Sequence, residues 1–156
     1  MPGDYRVVLD TNILLRGLIN MRSDAGRVVE ACDRRAVVLL LSRAVLAEYR
    51  AILTDPRIVT RYPELSEEKV GIALRRLRYV ADTFRRVPVK FQYPRDPKDE
   101  AFIELAIAGH ATHLVTADDD MLSLMLDHGE AARRFRQRAP TLRVVDPKTF
   151  IMTARI

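Results

Sequence analysis

The 156-residue chain fits a single domain, residues 1–156, long enough to bury one continuous core without staples of disulfide or structural metal. Its one cysteine, Cys32, excludes an intrachain disulfide, points to a reducing compartment and is expected to serve as a small buried apolar residue. The formal net charge is +5, and all but four of the 26 basic residues are arginines, whose guanidinium groups match phosphate geometry and stack on bases. That balance leans toward nucleic acid, although arginine-rich surfaces also follow from genome base composition. The opening MPGDYRVVLD lacks the basic and apolar regions of a secretory leader, and the longest clean apolar run, residues 36–41, is too short to cross a bilayer. A cytoplasmic protein with no membrane partner is therefore expected.

In chain order, residues 5–9 read as a short buried strand, followed by a helix beginning in NILLRGL with Asn12 as a candidate cap. A second helix is predicted from Ser23 through Arg35, then a buried strand over 36–41 that stops at Ser42. Ser42 suits the N-cap of a helix running to about Leu53 and ended by Asp55 and Pro56. Five prolines punctuate residues 55–97, where an addition to a minimal core would be accommodated. Within this stretch lies the most periodic helix, with Ser66 as cap, Glu67 and Glu68 in the first turn, and Val70, Ala73, Leu74, Leu77, Ala81 and Phe84 on one face. Its other face carries Arg75, Arg78, Asp82, Arg85 and Arg86.

After Pro97 a helix runs to Gly109, followed by the strand THLVT, a short helix from Met121, a basic helix over 130–138 and a last strand over 142–145. Strand and helix alternate, which predicts an α/β fold with a central parallel sheet of four to five strands and helices on both faces.

Four carboxylates break this pattern. Asp10 and Asp118 each close an apolar strand, at the edge where parallel sheets keep their crevice. Glu48 shares i, i+3, i+4, i+7 spacing with Val45, Tyr49 and Ile52, and Asp99 shares it with Phe102, Ile103 and Ala106, so both point along apolar faces. An ionised carboxylate buried alone is costly, and several together repel unless a cation sits among them. Oxygen donors without cysteine, and with no histidine at a suitable spacing, select a hard ion, Mg²⁺ or Mn²⁺. Such an ion beside a basic surface suits phosphodiester hydrolysis. Taken singly, each acid has a plainer explanation. Asp10 can cap a helix, residues 118–120 can form a solvated acidic turn, and Glu48 and Asp99 can each pair with an arginine.

Together, LDTNIL, Glu48 seven residues past the second strand, DPKDEAFIELA (96–106) and LVTADDDML (114–122) resemble the PIN domain, in particular the VapC-type toxins of type II toxin–antitoxin pairs. The tail VVDPKTFI is also similar to the end of one PIN subgroup. The resemblance implies an Mg²⁺- or Mn²⁺-dependent endoribonuclease, homodimeric and held inactive by an antitoxin. Position by position, it implies Asp10, Glu48, Asp99 and Asp118 as catalytic and metal-binding acids and Asp120 as a further acid. Asn12 and Thr116 match polar residues that steady the site. Asp99, seven residues before the small Ala106, matches the family acid, whereas Asp96 before Pro97 matches a helix start. Ala117 stands where glycine is frequent and Met121 where leucine is, and the long segment over 55–94 bears on the shape of the substrate groove.

Arg133, Arg134, Arg136 and Arg138 around Phe135 can grip a phosphate backbone, or form a solvated helix that Phe135 anchors to the core. His110, His113 and His128 show no spacing for a metal or a nucleophile pair. A phosphatase or receiver domain also places acids at strand ends, but Asn12 stands where the first needs a second acid, and the paired acids of the second are missing. Two rivals from other classes are a catalytically silent PIN-fold module that binds RNA or protein, and a DNA-directed nuclease.

Overall fold

Apolar runs make the three inner strands of this protein, and most of their side chains are buried on both sides. The computed structural model describes residues 4–88 and 99–156. Five strands form one parallel sheet: β1 (Arg6–Leu9), β2 (Val38–Ser42), β3 (Asp82–Phe84), β4 (His113–Val115) and β5 (Arg143–Val145), in the order β3-β2-β1-β4-β5. Successive residues of a strand point to opposite faces, yet Val7, Val8 and Leu9 on β1 and Leu39, Leu40 and Leu41 on β2 are all buried. The sheet is therefore covered on both faces, as parallel sheets require.

The covering helices are α1 (Thr11–Ile19), α2 (Asp24–Asp33), α3 (Arg43–Leu53), α4 (Pro56–Arg61), α5 (Glu67–Val80), α6 (Glu100–Ala108), α7 (Asp119–Leu122), α8 (Glu130–Arg138) and α9 (Pro147–Ala154). A short 3₁₀ turn, Ser123–Met125, follows α7. Side-chain caps start several of them. Ser23 accepts from Gly26 N–H, Ser42 from Val45 N–H and Ser66 from Lys69 N–H, each satisfying an amide that the helix leaves orphaned. α1 and α2 pack closely because Gly17 carries no side chain, and a Cβ there would lie 2.7 Å from Val29 Cγ2.

Several expectations are corrected. Asp10, not Asn12, occupies the N-cap position of α1, and Asn12 is exposed inside the first turn. α5 stops at Val80 with Ala81 as its C-cap, so Phe84 belongs to a separate strand, β3, that pairs with β2. The dipeptide Asp55-Pro56 starts α4 rather than merely ending α3. The Asp55 carboxylate accepts from Arg57 N–H, and proline costs nothing at a first helical position, where its missing N–H would have no partner. Asp146-Pro147 starts α9 in the same way. Asp118 caps α7, which begins at Asp119, two residues before Met121. Asp96 and Pro97 lie outside the described residues.

The expectations for Cys32 and Phe135 hold. Cys32 is buried, and burial, with the Asp33 carboxylate adding to it, pushes its thiol up to about 12, which leaves it protonated and inert. Phe135 is fully buried and anchors α8, while Arg136 and Arg133 donate to the carbonyls of Leu124 and His128. Among the described residues no helix is long and apolar enough to cross a membrane.

Two consequences are measurable. A Cβ at Gly26 would land on the Met21 backbone, so Gly26→Ala is expected to cost about 2 kcal/mol, read as a lowered urea midpoint at unchanged slope. His113 is buried against the rings of Tyr5 and Phe150, and burial, with the Arg143 guanidinium adding to it, holds its imidazole below the ordinary 6.5. As pH falls below about 6.5 the unfolded chain takes up this proton before the folded chain does, so stability is lost down to the folded value and then levels off. His113→Gln is expected to flatten that loss in urea titrations compared with wild type between about pH 7 and pH 5.

Candidate active site

The strand order reverses between β1 and β4: β2 and β3 lie to one side of β1, and β4 and β5 to the other. Such a switch point opens a crevice beyond the carboxyl ends of the two central strands, because the connecting loops diverge there. Asp10 follows β1 directly, and its N–H donates to the Val115 carbonyl at 2.9 Å. Thr116 follows β4 directly, and its N–H donates to the Val145 carbonyl at 2.9 Å. Parallel register thus sets the two side chains next to each other at the mouth of the crevice.

There the Thr116 hydroxyl donates to Asp10 Oδ2 at 2.8 Å and accepts from the Asp118 N–H at 3.0 Å. A hydroxyl has one proton, and the short charge-assisted contact to Asp10 takes it in preference to Met121 Sδ at 3.8 Å. Thr116 is fully buried and Asp10 is 6% exposed, so the bond is shielded from competing water. Although Asp10 sits at an N-cap position, its side chain makes no capping bond. The plain helix-cap explanation of Asp10 therefore fails. Asp118, half-buried, does cap: its Oδ1 accepts from the Asp120 N–H at 2.9 Å. Asp120 itself is exposed on the first turn of α7.

Glu48 and Asp99 come from the flanking helices. The buried seam of α3 is Val45, Tyr49 and Leu53, and Glu48 lies half-buried beside it rather than in its middle. The Tyr49 hydroxyl donates to the Leu9 carbonyl, one residue before Asp10, and so ties α3 to the end of β1. Burial, with the Cys32 thiol and the Asp10 carboxylate adding to it, raises the Tyr49 phenol well above its usual range and keeps it a neutral donor. The Tyr49 ring also meets Phe102 of α6, with centroids 6.1 Å apart. Asp99 heads α6, three residues before Phe102. It is 7% exposed and makes no capping bond through its side chain. Its Oδ2 is closed off from solvent and receives no hydrogen bond among the described residues.

Asp10, Thr116 and Asp118 are thus joined directly, while Glu48 and Asp99 are carried by helices that meet the end of β1 and each other through Tyr49. Among the described residues no three Asp, Glu, His or Cys side chains are drawn together closely enough to grip a metal ion. Oxygen donors of this kind suit a hard dication; closer approach of the side chains is required to hold one.

Two residues escaped the sequence reading. Tyr49 was counted as apolar seam, and only its hydroxyl beside an acid hinted at more. Glu104, 5% exposed on α6, interrupts the run Phe102 to Ala106 and lines a cavity of about 520 Å³ with Ser42, Arg43, Phe84 and Arg85.

Comparison with known proteins identifies the family of this fold. A family model described as PIN domain matches residues 6–120, a stretch that contains Asp10, Asn12, Glu48, Asp99, Thr116, Asp118 and Asp120. The chain is also similar to an uncharacterized protein of Methanocaldococcus jannaschii, MJ1680, at 26% identity over 152 residues, covering 94% of this chain and 89% of that one. The five-stranded parallel sheet, its acids at the switch point and this match together show that the chain belongs to the PIN-domain family, whose fold is that of nucleases.

Proposed function

We propose that this protein is a metal-dependent endoribonuclease whose centre is Asp10, Glu48, Asp99 and Asp118. The observation that carries the reading is the Thr116 hydroxyl joined to both Asp10 and Asp118 at the crevice. That bond aims a buried carboxylate without using it for the helix. Such preorganisation is what a ligand or a catalytic acid needs and a cap does not.

In this reading Asp10, Glu48, Asp99 and Asp118 hold Mg²⁺ or Mn²⁺, with Asp120 as an outer acid at the rim. The bound ion supplies an acidified water and offsets negative charge at the scissile phosphate. The chain's own residues do the rest. Thr116 fixes the orientation of Asp10, Asn12 presents an exposed amide at the first turn of α1, and Tyr49 sets the distance of α3 from the strand end. The arginine-rich surface favours a polyanionic substrate. RNA as that substrate, a toxin role restrained by an antitoxin protein, a cytoplasmic location and a homodimer are supported by the likeness of the four motifs to VapC-type chains.

The test is cleavage of RNA and DNA oligonucleotides by wild type and Asp10→Asn, with Mn²⁺ or with EDTA, alongside calorimetric titration of Mn²⁺. RNA cleavage that stops in EDTA and falls about 100-fold or more in the variant is expected, with weakened Mn²⁺ binding, since even residues that only support ligands are worth about 10–100-fold. Equal cleavage by both proteins would reject the proposed centre. Cleavage of DNA alone would identify a DNA-directed nuclease, and RNA binding without any cleavage a silent binding module.

Thr116→Val removes the hydroxyl at nearly constant shape. It is expected to lower kcat about 10-fold or more with little change in KM, while Thr116→Ser keeps most of the rate.

A further inference from the structure

Four guanidinium groups converge away from the acids, on the side of the sheet that ends in β3. Arg43 opens α3, Arg78 lies in the last turn of α5, and Arg85 and Arg86 follow β3 directly. They line one concavity of about 480 Å³ together with Ser42, Thr83 and Phe84, and among the described residues its wall contains no acid. All four are exposed, and among the described residues none forms an ion pair, whereas Arg6, Arg57 and Arg76 do.

Like charges gathered in a concavity repel one another and focus a positive potential, which an anion relieves. Arg43 sharpens the point. It is the first residue of an 11-residue helix with no acid in its first turn, so a cation stands where the helix dipole favours an anion. Continuity gives the direction. Ser42, Arg43, Phe84 and Arg85 also line the neighbouring cavity of about 520 Å³, whose far wall is Glu100 and Glu104 of α6, the helix that Asp99 heads. At its other end the arginine concavity shares Arg78 with a groove between α3 and α5 that adds Arg50 and Arg75, along with Glu67 and Glu68 from the first turn of α5. A track of arginines therefore runs from the start of α6, past the ends of β2 and β3, to α5, purely basic at its centre and flanked by glutamates at both ends.

We propose that this track holds the sugar–phosphate backbone of the RNA strand as it approaches the acidic centre, with Arg43, Arg78, Arg85 and Arg86 as its phosphate contacts. The proposal rests on the ribonuclease reading and adds which surface the strand crosses. It also explains why Arg78, Arg85 and Arg86, which look like one stripe on a long helix, come from two elements: the chain turns at Val80 so that Arg85 and Arg86 face Arg78 across a groove rather than continue its helix.

Binding is measured without catalysis, by fluorescence anisotropy of a labelled single-stranded RNA in EDTA over a range of salt concentrations. The proteins compared are wild type, the triple variant Arg78→Gln, Arg85→Gln, Arg86→Gln, and a control of equal charge loss at exposed arginines outside the track, Arg22→Gln, Arg34→Gln, Arg155→Gln. The slope of log affinity against log salt is expected to shrink by about 2 in the groove variant, at about 0.7 per lost phosphate contact, and to stay unchanged in the control. Arg43→Gln alone is expected to reduce it by about 0.7. In cleavage assays the groove variant raises KM while kcat stays within about twofold. Wild type that binds and cleaves RNA while the groove variant keeps its slope would overturn the track and leave the ribonuclease reading standing. Equal losses in the groove and control variants would overturn it too. Wild type that does not bind RNA would bring down both.

Discussion

Much in this protein depends on one hydroxyl. Thr116 stands at the end of β4, where the sheet's strand order reverses, and spends its only proton on Asp10 while receiving the N–H of Asp118. Two parallel strands can place carboxylates at one edge, but alone they would leave those carboxylates free to turn outward into water. The buried threonine prevents this for Asp10 and fixes the start of the turn that carries Asp118. A side chain without charge thus organises two that have it, at the cost of one buried hydrogen-bonded group that is fully satisfied.

The same economy appears at Tyr49. Its ring belongs to the apolar seam of α3 and touches Phe102, while its hydroxyl reaches the backbone just before Asp10. Core packing and site geometry are therefore not separate in this fold: moving α3 or α6 to repack the core would move Glu48 or Asp99 relative to Asp10. Farther out, one cavity is lined by Glu100 and Glu104 of α6 on one side and by Arg43 and Arg85 on the other, and it shares those arginines with the concavity beyond β3.

Four of the five strands and most helices could be read from the sequence, because long apolar runs and serine caps act locally. Ser42 and Ser66 begin helices in the structure as their spacing requires. β3 was not legible: it is three residues long, two of them exposed, and exists because β2 offers it an edge. Periodicity ran on past Val80 to Phe84 by coincidence, which concealed both the strand and the true grouping of Arg78, Arg85 and Arg86. Of the site, Asp10 and Asp118 were legible as acids closing apolar strands, and Asp99 as an acid on a buried face. Glu48 was placed deeper in its seam than it lies, since an i+3 position drifts from the centre of a helix face that Val45, Tyr49 and Leu53 define at i, i+4 and i+8. The bond through Thr116 joins residues 106 apart and leaves no local trace in sequence.

The most direct test of the account is anomalous diffraction from crystals grown or soaked with Mn²⁺. A peak is expected at the mouth of the crevice between β1 and β4, ligated by Asp10 with Glu48, Asp99 or Asp118 turned toward it, and Thr116 still bonded to Asp10. Manganese bound elsewhere on the chain, with Asp10 untouched, would contradict it.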